Sequence, residues 1–456
     1  MEPSESAIIR YFALKSSVFM PLGVSRLKRV ALVLVVLVLA SVSFLSCGYS
    51  NSSYKPRSGL TTRVMASQSV SGPTSVPGLI LIDGAIDTLA NGGVSAGTSP
   101  TLMAISSDRK TVLAFDSAAN NNSVEVVNAK TESANGSIQI GGPTSSMVVL
   151  TTGFAYAAVP TAVVNGSPTG GVVVMNLSVG GLAATISVPN AQTVVASPDG
   201  TKILVFSGDS NAVTVMSPLL VNTGNPVTVT VPGFDRPVYG VFSSDGSTAY
   251  ILNCGPECAS GSASASVQTL NLSSLAVGPP LLVDGATIGW LSGSTLSVAG
   301  ISPTNNSCAG QTTAAVTCGR LDIIDLGSMT VAASIVITDG YHNRIDMSGN
   351  GQLFIGSYGC TTIGNVNNPQ GGEVRGCLSI FDTTKAGNAS AIIPPDNGDV
   401  TGLQSFTSRD VEYVAEGGNL RVYDTAKDSL LLNSFISTGT ISISGRIIDV
   451  KAIDFF

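Results

Sequence analysis

An all-β fold assembled from repeated small sheets is what this sequence predicts, on three observations. One phrase recurs along the chain: apolar strand, polar turn, apolar strand, loop, apolar strand. Its turns fall at residues 108, 153, 199, 245, 293, 349 and 408, giving spacings of 45, 46, 46, 48, 56 and 59. Composition points the same way. Fifty of 456 residues are glycine and only 11% are charged, against about 7% and about a quarter in an average domain. Short Val-, Ser- and Thr-rich segments punctuated by glycine suit strands and tight turns, and argue against a helical bundle or coiled coil. The third observation is that each end of the chain carries an incomplete copy of the phrase. Repeats of roughly 40–50 residues with several strands each build a β-propeller, in which four-stranded antiparallel blades cover one another's faces.

The clearest copy is Val194-Val195-Ala196-Ser197-Pro198-Asp199-Gly200, followed by Lys202-Ile203-Leu204-Val205-Phe206 and Ala212-Val213-Thr214-Val215-Met216. Others open with Met103-Ala104-Ile105-Ser106-Ser107-Asp108, with Val241-Phe242-Ser243-Ser244-Asp245-Gly246, and with Ile345-Asp346-Met347-Ser348-Gly349-Asn350. Weaker copies turn at Gly153, Gly293 and Ser408. Near the start, Thr62 to Ala66 reads as a second strand without its first, and Gly78 to Asp83 as a third strand. Near the end, Arg446 to Ile453 reads as a first strand with nothing after it. Pairing the two termini closes the ring and removes free sheet edges. Seven units plus this shared one make eight blades, with seven the alternative if one weak unit is irregular.

The phrase resembles the bacterial YVTN-type β-propeller repeats of secreted and surface proteins, with Ser197-Pro198-Asp199-Gly200 as the best landmark. That resemblance covers about residues 61–456. The repeat is also similar to that of lactonase-like propellers. The resemblance implies an exported propeller and, as an alternative function, a hydrolase or small-ligand site at the mouth of the central channel.

Residues 1–47 read as an address. Arg26, Lys28 and Arg29 precede an uncharged apolar run from Val30 to Leu45, then Ser46-Cys47-Gly48. The run is short for a membrane span and suits a secretory signal. Counted from Met20, an alternative start, its regions have ordinary lengths. Cys47 resembles the lipid-modified cysteine of bacterial lipoproteins, with Ser46 as the small residue before it and Phe44-Leu45 bulkier than usual. Residues 48–60 read as a flexible tether and 61–456 as the propeller. The leader holds five of the 22 basic residues and two of the 29 acidic ones, leaving 17 against 27, a balance of −10. An acidic exterior excludes a nucleic-acid footprint and leaves lipid, not charge, to hold the protein at a membrane.

Six cysteines remain, an even number in a chain that looks exported, and six permit fifteen pairings. The repeat places them two by two in the loops after the second strands of consecutive blades. The expected bridges are therefore Cys254–Cys258, Cys308–Cys318 and Cys360–Cys377. The long spacings of 56 and 59 put the extra residues in the same loops. Those loops share a face with the blade-to-blade connections, so they read as a recognition surface, or as exposed loops stapled against proteolysis.

Chemistry is sparse. His342 is the only histidine, so any His-based acid–base scheme must use it, with Asp339 and Arg344 beside it. These three, with Asp235, Arg236, Asp284, Asp396 and Asp399 from equivalent connections, are the candidate ring at the channel mouth; Asp side chains also simply make such turns. Trp290 reads as wedged between sheets. No metal or other cofactor is expected, since no second close cysteine pair or histidine accompanies Cys254 and Cys258. The function expected is a monomeric, lipid-anchored module of the bacterial cell envelope, at the outer membrane or cell surface, that binds a protein or a glycan without catalysing a reaction.

Overall fold

The recurring Ser-x-Asp phrase is a self-contained hydrogen-bonded turn. Ser197 Oγ donates to Asp199 Oδ1 (2.6 Å) and accepts from Lys202 N (2.9 Å). Ser106 with Asp108 and Thr111, Ser243 with Asp245 and Thr248, and Ser348 with Asn350 and Gln352 repeat the pattern. The side chains satisfy backbone groups that the tight turn would otherwise leave bare. The turn also needs one residue of left-handed backbone, which Gly200 and Gly246 supply at φ 68° each without a Cβ clash. In the first copy Arg109 occupies that conformation at φ 54°. Its Nη1 donates to the carbonyls of Ala452 and Asp454, at 2.9 and 3.3 Å, so a strained backbone position holds the far end of the chain.

The structure, a computed structural model, describes residues 56–69, 77–118, 121–218, 226–258, 264–301, 319–360, 377–385, 390–394 and 398–454. Residues 1–47 with Cys47, and also Cys308, Cys318 and Asp396, lie outside them. Eight antiparallel sheets follow in order. Blades 1 to 7 span residues 100–139, 146–187, 191–232, 237–283, 288–337, 341–382 and 400–441. Blade 8 joins Arg446–Ala452 to Arg63–Ser69, Gly78–Asp83 and Thr88–Val94. All the expected turns lie between the first and second strands of blades 1 to 7. The chain is thus an eight-bladed propeller, and the seven-bladed alternative falls.

Two blades depart from the four-stranded plan. Blade 6 has three strands among the described residues, with a single Ile380–Ile392 bridge in the fourth place. In blade 7 the outer position is shared by Ser429–Leu430 and Thr440–Ile441, both paired to Asn419–Asp424.

The core is divided among the blade interfaces. Between blades 1 and 2, Leu113, Phe115 and Val126 meet Met147, Ala155 and Ala157. Equivalent clusters fill every other interface around the ring. Trp290, on an inner strand, packs against the cluster between blades 5 and 6. Each sheet is too small to bury both its faces alone, so the ring stands only if it closes. Closure runs through the innermost strand of blade 8: Val64 pairs with Ala452, Met65 with Lys451 and Ala66 with Val450. Ser58, near the end of the expected tether, contacts blade 1. Ser58 donates from N and from Oγ to the Glu132 carboxylate, both at 2.6 Å.

Candidate site at the channel mouth

Each inner strand starts at a blade-to-blade connection and runs to the first turn, so its opening residues surround one end of the central channel. The loops between second and third strands emerge at that same end. Two of them carry disulfides, Cys254–Cys258 and Cys360–Cys377, with Cα–Cα distances of 5.8 and 5.7 Å, as the repeat predicts. The enlarged segments 302–318 and 361–376 occupy the same position in blades 5 and 6 and lie outside the described residues.

A cavity of about 590 Å³ occupies the channel here, walled by residues of blades 1 to 6 and 8. Gln192 and Thr193, Tyr239, Thr287, Tyr341, Asn343 and Arg344 contribute its polar wall, with Lys451 and Asp449 deeper along the inner strand of blade 8. Cys258 of the first staple reaches the wall. So does Tyr358, two residues before the second staple begins; it is 44% exposed. The Tyr341 and Tyr358 rings lie 5.3 Å apart, tilted by 49°. The Arg344 guanidinium donates to two carbonyls, Nε to Thr401 O (2.7 Å) and Nη1 to Asn343 O (2.9 Å), and no described carboxylate pairs with it. A cation held by neutral acceptors keeps its charge available to a ligand.

Of the described candidates singled out in the connections, only Arg344 is on this wall. The described candidate carboxylates, Asp235, Asp284, Asp339 and Asp399, are not among the residues of this wall, and two of them are engaged locally. Asp284 accepts from Ser334 Oγ (2.8 Å) beside Arg320, at 3.9 Å. Asp399 accepts from Gly359 N (2.8 Å). Arg236 pairs with Asp209 at 3.7 Å. Asp235 receives no place on the wall, its amide instead donating to Asn253 Oδ1 (3.3 Å). Asp339 is 6% exposed, and its carbonyl accepts from Ser357 Oγ (2.8 Å).

His342 differs most from expectation. It opens the inner strand Tyr341–Met347 rather than lying in a loop, and it is wholly buried. A Cβ on Gly319 of blade 5 would come within 2.6 Å of its Cε1, so the ring fills the space that this glycine leaves. Burial pushes its pKa down to about 4. The buried imidazole packs the interface between blades 5 and 6.

The residue that sequence reasoning missed is Glu257, inside the first staple. Gly255–Glu257 form a single 3₁₀ turn between the two cysteines. Glu257 Oε2 accepts from Ile301 N (2.8 Å) of the next blade, while Oε1 is buried without a hydrogen-bond partner. Burial pushes the carboxyl up to about 7. Its charge reaches both wall tyrosines: burial, then Glu257 and Tyr358, push Tyr341 up to about 12. Burial and then Glu257 also raise Tyr358. A lone acid inside a four-residue staple was the available signal.

No protein-family model matches the chain, and no curated protein matches it. Solved structures do. Dihydro-heme d1 dehydrogenase NirN in complex with DHE aligns with a TM-score of 0.57 at 13% identity, over 88% of this chain and 77% of that one. A putative 6-phosphogluconolactonase from Bacteroides uniformis aligns at 0.52 and 11%, over 86% and 99%. The Dos1 propeller aligns at 0.53 and 10%, over 78% and 84%. Identities this low speak for architecture alone: the chain shares the β-propeller fold with proteins of unlike function.

Proposed function

We propose that this protein is a binding module of a bacterial cell envelope, held by lipid on Cys47, that receives a glycan at the stapled end of its channel. The observation carrying the reading is that staples and cavity adjoin: Cys258 of the first staple, and Tyr358, two residues before the second, both belong to the cavity wall. A pocket of this size, walled by tyrosines and amide and hydroxyl side chains, suits a hydroxylated ligand. Staples hold such loops in one shape and lower the entropy lost on binding. Two disulfides also agree with an oxidising, extracytoplasmic location. Two acyl chains at Cys47 give stable anchoring where one is marginal.

The test is a saccharide array probed with the purified protein. Retained saccharides, with about tenfold weaker retention of Tyr341→Ala/Tyr358→Ala, support the reading, on the scale of one lost aromatic platform. Capture of a protein and of no saccharide turns it toward a protein partner. Incorporation of a labelled fatty acid, abolished by Cys47→Ser, tests the anchor.

A second reading is hydrolysis of a lactone in the same cavity, in keeping with the name of the Bacteroides uniformis neighbour. Lactone opening by the purified protein that disappears in Tyr341→Ala/Tyr358→Ala would establish this reading in place of the first.

A further inference from the structure

We infer that the ligand of the channel mouth is an acidic saccharide, its carboxylate held by Arg344, its ring face laid on Tyr341 and Tyr358, and its hydroxyls met by Asn343. This rests on the glycan reading above and names the chemical class within it.

Charge makes the selection. Among the described residues, the charged side chains on the wall are Arg344, Lys451 and Asp449. The last two satisfy each other at 2.9 Å, which leaves one positive charge over. A guanidinium presents a planar fork that matches a carboxylate, and in a partly enclosed site the contact is less screened than at an open surface. The rest of the exported chain is acidic, with 17 basic residues against 27. Long-range attraction for polyanions is therefore absent, and discrimination rests on Arg344.

The experiment titrates trigalacturonate and its methyl ester into the full chain by calorimetry at pH 6. At pH 6 the acid is expected to bind about tenfold more tightly than the ester, the worth of one charge-assisted contact. Arg344→Gln should erase that ratio, and Arg344→Lys should restore part of it. Equal binding of acid and ester by the unmodified protein overturns the inference and leaves the glycan reading standing. Binding of neither, by protein whose melting curve shows it folded, removes both.

Discussion

Arg63 and Asp454, 391 residues apart, are joined by two parallel charge-assisted hydrogen bonds, Nε to Oδ2 at 2.9 Å and Nη2 to Oδ1 at 2.7 Å. The Arg63 amide donates to the same carboxylate at 2.8 Å. Arg63 also pairs with Glu132 of blade 1 at 3.1 Å, and Glu132 is 2% exposed. One guanidinium thus ties the first strand, the last residues and the neighbouring blade at the point where the ring closes. Removing it is worse than removing one of its partners, because a buried carboxylate is left without a counter-charge. Arg63→Met should lower unfolding free energy by about 3–5 kcal/mol, and Asp454→Asn, which leaves the Glu132 pair intact, by about 1. Urea unfolding of both variants checks the order; equal losses would show that the latch does not close the ring.

The architecture was legible because its determinants are local. Ser106, Ser197, Ser243 and Ser348 each announce a turn that the serine's own side chain builds, and with the weaker turns at 153, 293 and 408 they mark seven of the eight blades. Closure was legible because Arg446–Ala452 lacks a neighbour in sequence and must find one at the other end. The site was less legible, since burial there depends on residues from different blades. Glu257 owes its environment to Ile301 and to Tyr341, one and two blades on. His342 could be placed near the mouth from its connection. That its ring would turn into the interface follows only from Gly319 lying opposite it.

The two described staples should differ in worth. In the loop-entropy account a bridge stabilises by restricting the unfolded chain, more so for longer loops. Cys254 and Cys258 are separated by 4 residues, Cys360 and Cys377 by 17. The expected contributions are about 2 and about 3 kcal/mol. Paired Cys→Ala variants, compared by chemical denaturation under non-reducing conditions, should rank in that order. If Cys254→Ala/Cys258→Ala also loses ligand while remaining folded, the first staple serves to shape the wall at residue 258.

Gly319 is required by close approach and not by backbone conformation. A methyl group there would lie 2.0 Å from the Thr338 carbonyl oxygen as well as against His342. Neither the outer strand nor the imidazole can retreat without opening the interface between blades 5 and 6. Gly319→Ala should therefore cost about 2–4 kcal/mol. Gly181, on the exposed outer strand of blade 2, has open space where its Cβ would be. Gly181→Ala should stay within about 1 kcal/mol of the unmodified protein, on either side. Thermal melts of the pair suffice; similar melting temperatures would mean that the interface yields.

Two buried groups make stability depend on pH in opposite directions. Glu257 rises from an ordinary 4.5 to about 7 on folding because burial disfavours its charge. The folded chain then holds a proton that the unfolded chain has released. That contribution is complete below 4.5 and is lost as pH rises through about 7. His342 falls from 6.5 to about 4 for the same reason. Here the unfolded chain takes up the proton, so its contribution is complete above 6.5 and is lost as pH falls through about 4. Each shift corresponds to about 3 kcal/mol at most. Glu412 adds to the alkaline side, since burial holds its carboxyl well above the usual range. Glu257→Gln should consequently gain on the unmodified protein between pH 5 and 8, and His342→Leu should gain on it as pH falls from 6.5 to 4. Denaturation midpoints across pH 4–8 separate the two slopes. A His342→Leu curve parallel to the unmodified one would mean that the imidazole is open to protons in the folded state, and with it the interface that the fit of His342 against Gly319 closes.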